Sequence, residues 1–270
     1  MRKLALLSIA SVVLVSLVAA AEVPSAKNEK GEQLGQQSAT GTPNIAAISG
    51  SYYFGDGLGV NCTLVLKPEG EFSFIWRGCC GVYDQNNGKA ELKGDRLLLS
   101  PKNDNKRGGF RGTPEKFLVV HWGDRIYLVA DEDRGSFGIL DFCNEINQGD
   151  EPRKQRHGLG FYLRDKDWDK DAPGLPDLPK EWRDYLLKQP LRGKIVQVDR
   201  KQTATVNLGS KDGLKVGMEL SAQGEHWCQL EVTGIEDASC TVKHKYEDDA
   251  ADEKRKLEAG QLVTSRSFGK

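Results

Sequence analysis

Cysteine, histidine and aspartate supply most of the side chains in this 270-residue chain whose spacing could do chemistry. Cys79 and Cys80 are adjacent. A redox dithiol ordinarily uses Cys-x-x-Cys, where local geometry lowers one thiol pKa and lets a second thiol return. Adjacent residues lack that spacing, and a bond between them strains the intervening peptide. The expected role is therefore structural, with Cys79 or Cys80 bonded to Cys62 or Cys143, or with buried thiols; Cys228 and Cys240 complete the disulfide candidates. Four cysteines allow three full pairings, among which the sequence does not choose.

His226 and Cys228 share one strand face, as do Cys240 and His244, which is the arrangement zinc ligands need. Thiolate sites compete poorly with oxidation outside the cytoplasm, so these residues are expected to form a disulfide or to pack beside Leu230, Val232 and Val242, with no metal bound. Asp165, Asp167, Asp169 and Asp171 alternate like the start of a calcium loop. Lys170 then occupies the position that needs glycine and Pro176 the position that needs a bidentate glutamate, so the stretch reads as a solvated linker. G-x-S-x-G, H-E-x-x-H and a phosphate-binding glycine loop are absent. His121 is placed at a barrel rim with no nucleophile beside it. Asn61-Cys62-Thr63 fits the glycosylation sequon but falls in an expected strand. No catalytic residue and no cofactor is assigned.

The elements that must position these groups are mostly short strands. In the stretch Ser49–Pro101, Cys62, Leu64 and Leu66 alternate along one strand and Phe72, Phe74 and Trp76 along the next. Pro68-Glu69-Gly70 between them suits a type I turn closed by a glycine bulge. That register sets Leu66 against Phe72, Leu64 against Phe74 and Cys62 against Trp76, making one face apolar. Asn87-Gly88 signals a type I′ hairpin that would set Tyr83 across from Leu92. Gly94-Asp95 and Gly123-Asp124 suit type II′ turns, the second joining Lys116–Trp122 to Arg125–Ala130. Lys102–Glu115, with KRGGFRG, reads as a solvated loop. Ile139, Phe142, Cys143 and Ile146 fall at helical spacing, with Gly149 at the C-terminal cap position. GLGFYL, residues 158–163, is one further strand.

Residues 1–21 carry the basic start, apolar run and small residues of a secretory signal peptide, so export to the periplasm or beyond the cell is expected, with no stable membrane span after cleavage. Residues 22–48 are polar and read as a disordered spacer. The formal net charge is −1. Such a balance excludes a general nucleic-acid binder, which needs a basic excess to displace counterions. Residues 49–164 form a first barrel of about eight antiparallel strands, closed to remove its edges. Residues 165–190 are a linker with a helical turn or two over Glu181–Lys188. Residues 191–270 form a second small barrel of about five strands, with Val196 and Val198 alternating in one and Ala204, Val206 and Leu208 in another. The charged run Glu247–Glu258 reads as a solvated loop or surface helix. The fold class is mainly β: an antiparallel barrel with one short helix, then a second small β-barrel.

The segments GKIVQV, TATVNLGSKDGLKVGMEL and AGQLVTS resemble the small β-barrel domains of bacterial envelope and assembly proteins, of the flagellar assembly protein T carboxy-terminal type. That resemblance implies a module for assembly or contact. In strand count, and in its helix before the final strand, the first module resembles a lipocalin, although Ser51-Tyr52-Tyr53 stands where the lipocalin G-x-W motif would lie. The function expected is a non-catalytic exported binding or scaffold protein of the cell envelope, partnered by another envelope protein. The alternative is a carrier of a small apolar ligand lined by Leu64, Leu66, Phe72, Phe74 and Trp76. An envelope enzyme with a site assembled from distant residues is the third reading.

Overall fold

The computed structural model describes residues 44–103, 114–131, 138–149, 161–199, 202–246, 249–250 and 252–266. The signal peptide, nearly all of the spacer, most of the KRGGFRG loop and the first half of GLGFYL lie outside them.

The first barrel contains β1 (Gly50–Gly55), β2 (Asn61–Leu66), β3 (Glu71–Gly78), β4 (Gly81–Lys93), β5 (Arg96–Pro101), β6 (Lys116–Trp122), β7 (Arg125–Ala130) and β8 (Tyr162–Arg164). All neighbours are antiparallel, and β8 closes on β1. The β2–β3 register pairs Leu66 with Phe72, Leu64 with Phe74 and Cys62 with Trp76. Gly70 has φ +82° and its N–H donates to the Lys67 carbonyl, as the turn chemistry demands. Gly94 and Gly123 likewise take positive φ at the first central position of their turns.

Asn87-Gly88 is not a turn. β4 runs through it without a break, so Gly88 pairs with Phe72 on one side and Pro101 on the other, and Tyr83 does not face Leu92. Glycine serves close approach here: a Cβ at Gly88 would stand 2.1 Å from the Ser100 carbonyl oxygen and 2.9 Å from the Phe72 ring. The β3–β4 reversal falls instead at Cys79-Cys80, between the paired Gly78 and Gly81.

Tyr52, Leu64, Leu66, Phe72, Phe74 and Phe117 head one buried cluster inside the barrel. β6 and β7 are buried on both faces. Phe117 and Val119 point inward, while Leu118 and Val120 join Trp122, Tyr127 and Val129 in a second cluster outside. α2 (Ile139–Asn147) covers that outer face with Ile139, Phe142 and Cys143, the apolar stripe that its spacing implies.

Two stretches expected to be solvated are built into the fold. Asn44 caps α1 (Ile45–Ile48), whose Ile48 is buried; the Tyr52 hydroxyl donates to the Ile48 carbonyl at 2.5 Å. Residues 165–190 pack along the barrel rather than float. Trp122 Nε1 donates to the Gly174 carbonyl and Arg125 Nε to that of Lys170. Asp167 is fully buried. This segment includes α3 (Lys180–Arg183), directly after Pro179.

The second barrel has six strands: β9 (Arg192–Val198), β10 (Ala204–Val206), β11 (Glu219–Ala222), β12 (Cys228–Ile235), β13 (Cys240–His244) and β14 (Leu262–Thr264). They close in the order β10-β13-β12-β11-β14-β9. Val196 does not face the core. Val206 pairs with Ile195 while Thr205 pairs with Gln197, leaving Val196 as the extra residue of a bulge. Ile195 and Val198 therefore both turn inward, and Val196 turns out. The run from Glu247 is only partly described, but it contributes the buried Leu257 and Asp249 to the structure.

Candidate functional site

The cysteines separate into two kinds. All six thiols are free, and Cys62, Cys143, Cys228 and Cys240 are buried whereas Cys79 and Cys80 are exposed. None of the disulfides expected for this set is present among the described residues, and for two of the pairs the strand register sets the cysteines too far apart. Cys62 sits opposite Trp76, and Cys79 lies three residues further along, about 10 Å at strand rise and beyond the ~7 Å a disulfide spans. Cys240 pairs with Ile235, at the far end of the hairpin from Cys228, about 20 Å away. The His226, Cys228, Cys240 and His244 set is split by the same geometry, and among the described residues no group of three or more His, Cys, Asp or Glu is arranged to hold a metal. Burial pushes the Cys62 and Cys143 thiols up to about 12 and those of Cys228 and Cys240 to about 11, which leaves them as inert packing groups at neutral pH.

Cys79 and Cys80 form the whole β3–β4 turn. Trp76 pairs with Asp84 and Arg77 with Val82, so Tyr83 is the extra residue of a bulge, which re-aims its side chain back toward the turn. A Cβ on Gly78 would meet the Tyr83 ring at 2.1 Å, so only glycine lets the ring lie there. The Trp76 ring meets it edge-on at 5.7 Å. The Cys80 N–H donates to the Tyr83 oxygen at 3.4 Å, and that hydroxyl lies 3.5 Å from Cys79 Sγ. Sγ of Cys79 and Sγ of Cys80 are 3.6 Å apart. Hydrogen bonding from Tyr83, then Cys80, holds the Cys79 thiol below its ordinary value.

Leu64, Leu66, Phe72 and Phe74 lie in the interior cluster of the first barrel, with Trp76 partly buried at its edge. His121 is exposed, its carbonyl accepting the Asp177 N–H.

A second site is the seam between the barrels. α2 has a polar stripe opposite its apolar one. Asn144 Nδ2 donates to the Gly217 carbonyl and to Glu219 Oε1, both at 3.1 Å, and Asn144 Oδ1 accepts the Glu219 N–H. Gln148 Nε2 donates to Glu219 Oε2 at 2.8 Å, and Lys245 Nζ lies 2.6 Å from Glu219 Oε1. Asn147 bridges the Tyr185 carbonyl and the Leu187 N–H. Asn144, Asn147 and Gln148 at i, i+3 and i+4 on an amphipathic helix were the sequence signal for this contact. Beside it, a groove of about 480 Å³ runs between Tyr185 and the second barrel's Leu214, Lys215 and Val216.

The third site is the outer wall of the second barrel. Leu262 pairs with Lys194 across β14–β9, and Gln223 N–H donates to the Leu262 carbonyl. Trp227 and Gln223 flank the Ala222–Cys228 pair, so Trp227, Gln223, Leu262 and Lys194 make one cross-strand row. Trp227 and Leu262 are each 49% exposed and the bulged-out Val196, beside that row, 53%. Arg192 and Lys194 border them, and neither has an acidic partner among the described residues.

Comparison with protein-family models, with curated proteins and with solved structures returned no match. The sites themselves therefore carry the functional argument.

At the end of the second barrel, His244 is buried, and neither ring nitrogen has a hydrogen-bond partner among the described residues. Burial, offset in part by Asp249, lowers its pKa from 6.5. A lowered histidine pKa means that the unfolded chain takes up a proton first. Stability from the neutral ring is thus present above about pH 6.5 and declines as pH falls below it. His244→Leu is expected to match or exceed the wild-type Tm at pH 7 and to lose less of it by pH 5.5. Paired thermal melts at the two pH values check this.

Proposed function

We propose that this chain is a non-catalytic exported protein of the cell envelope whose second barrel binds a partner protein through the wall bearing Trp227, Leu262 and Val196. The observation that carries the reading is the half-exposed tryptophan in a cross-strand row with Leu262. Burying the core does not require these side chains outside, and aromatic anchors on a sheet are the usual centres of protein contacts. Arg192 and Lys194 at the border match a partner surface that is apolar at its centre and acidic at its rim, an arrangement that steers encounter and weakens with salt. The resemblance of this module to contact domains of envelope assembly proteins agrees with that role, as does the signal-peptide pattern of residues 1–21.

The test places a photo-crosslinking residue at position 262 of the full chain in its own cells. A discrete adduct is expected, lost in Trp227→Ser and reduced in Lys194→Glu, while the same probe at position 67 gives none. Trp227→Ser should weaken binding by at least about 2 kcal/mol, with little change in Tm. An adduct indifferent to Trp227→Ser, or robust turnover of ester, peptide or glycoside substrates by the purified chain, overturns the reading.

A further inference from the structure

The geometry points to a thiol–disulfide exchange site at the β3–β4 turn, where Cys79 and Cys80 close reversibly into a vicinal disulfide. The inference is independent of the contact wall on the second barrel. Four observations carry it. Both thiols are exposed, unlike the other four. Their sulfurs already touch at 3.6 Å. The turn is flanked by Gly78 and Gly81, and Gly81 has φ +117° with open space around its Cβ position, so the backbone can absorb the strain of an eight-membered ring. Finally, the Tyr83 bulge brings a hydroxyl within 3.5 Å of Cys79 Sγ, close enough to donate to the sulfur once the thiol has lost its proton.

The base of the turn is braced. The backbone of Gly59 approaches Gly78, and the loop it belongs to is held by Asp56, whose Oδ1 accepts the Leu58 and Val60 N–H groups at 2.8 Å each. Leu58 (80% exposed) and Val82 (52%) flank the pair, so a disulfide-bearing molecule can approach it.

The step balances as an exchange. Cys79 loses its proton and attacks one sulfur of a low-molecular-weight disulfide. The oxidant's S–S bond breaks, one thiol leaves carrying that proton, and Cys79 holds a mixed disulfide. Cys80 then loses its proton and attacks Cys79 Sγ. The mixed bond breaks and the second thiol leaves. Two cysteine thiols are oxidised to one disulfide, and the oxidant is reduced to two thiols. Tyr83 acts as a positioning residue that favours the Cys79 thiolate. A strained, exposed disulfide of this kind is readily reduced again.

The test treats the full, reduced chain with one equivalent of oxidised glutathione and maps the products by mass spectrometry. Loss of two hydrogens on the peptide holding Cys79 and Cys80, restored by dithiothreitol, is expected. Cys80→Ser should stop at one glutathione on Cys79, and Tyr83→Phe should move the pH profile of Cys79 alkylation upward. A wild-type chain that stays reduced, stops at a stable glutathione adduct, or links either residue to another cysteine overturns the inference. So does an unshifted pH profile in Tyr83→Phe.

Discussion

Asp167→Ala is expected to cost about 3–5 kcal/mol of stability, the usual penalty for removing one partner of a buried ion pair. Its carboxylate is fully buried, with Arg164 Nε 2.6 Å from Oδ2 and Lys170 Nζ 2.8 Å from Oδ1; the Ile126 N–H also donates to it. Lys170 can rehydrate on the surface. Arg164 is 7% exposed, and its guanidinium would remain buried with, among the described residues, only the Ala47 carbonyl to accept from it. A Tm fall of roughly 10 °C should result. Arg164→Met combined with Asp167→Leu should recover most of the loss, because the cost lies in the stranded charge. Burial alone would raise the Asp167 pKa, but Arg164 and Lys170 outweigh it and hold the carboxyl below 3.8. Its contribution is present above that value and vanishes as pH falls through the native pKa, so wild type and variant should converge in acid. Melts from pH 7 to pH 2 check both the magnitude and the sign.

Glu219→Ala should have a comparable effect, about 3–5 kcal/mol, by a different route. One buried carboxylate accepts from Asn144, Gln148 and Lys245. Its removal leaves the Lys245 ammonium with Asp141, at 3.9 Å, as a distant acid, and takes one acceptor each from Asn144, which keeps the Gly217 carbonyl, and Gln148. Lys245→Met should cost less, about 1–3 kcal/mol, because both side-chain amides still hold the carboxylate. A double-mutant cycle of Glu219→Ala with Asn144→Ala should return a coupling of at least about 1 kcal/mol, since each single change removes the buried bond from Asn144 Nδ2 to Glu219 Oε1. Chemical denaturation of the four chains supplies every corner of the cycle. Strict additivity would mean that the seam does not act as a unit.

Elements whose turn chemistry is local were legible residue by residue. Pro68-Glu69-Gly70 and the Gly-Asp pairs at 94–95 and 123–124 sit where they were expected, because a required positive φ is a property of one or two residues. Asn87-Gly88 has equally strong local chemistry and misleads. The same glycine also permits close approach of two flanking strands, and a third strand is invisible from a hairpin's own sequence. Val196 fails for a related reason. Alternation assumes unbroken pairing, and the bulge on β9 shifts the phase.

Periodicity, glycine placement and composition determined that this chain folds into two β-barrels with one amphipathic helix, since those signals act over a few residues at a time. Tertiary structure alone decided what the chemical groups became. It separated Cys228 from Cys240 by a hairpin's length and buried Asp167 in a stretch that reads as linker. It also set Trp227 and Leu262 in one outward row and turned Tyr83 back onto Cys79. Each of these outcomes depends on strand register or on a bulge, and so on contacts between residues whose separation along the chain no local pattern records.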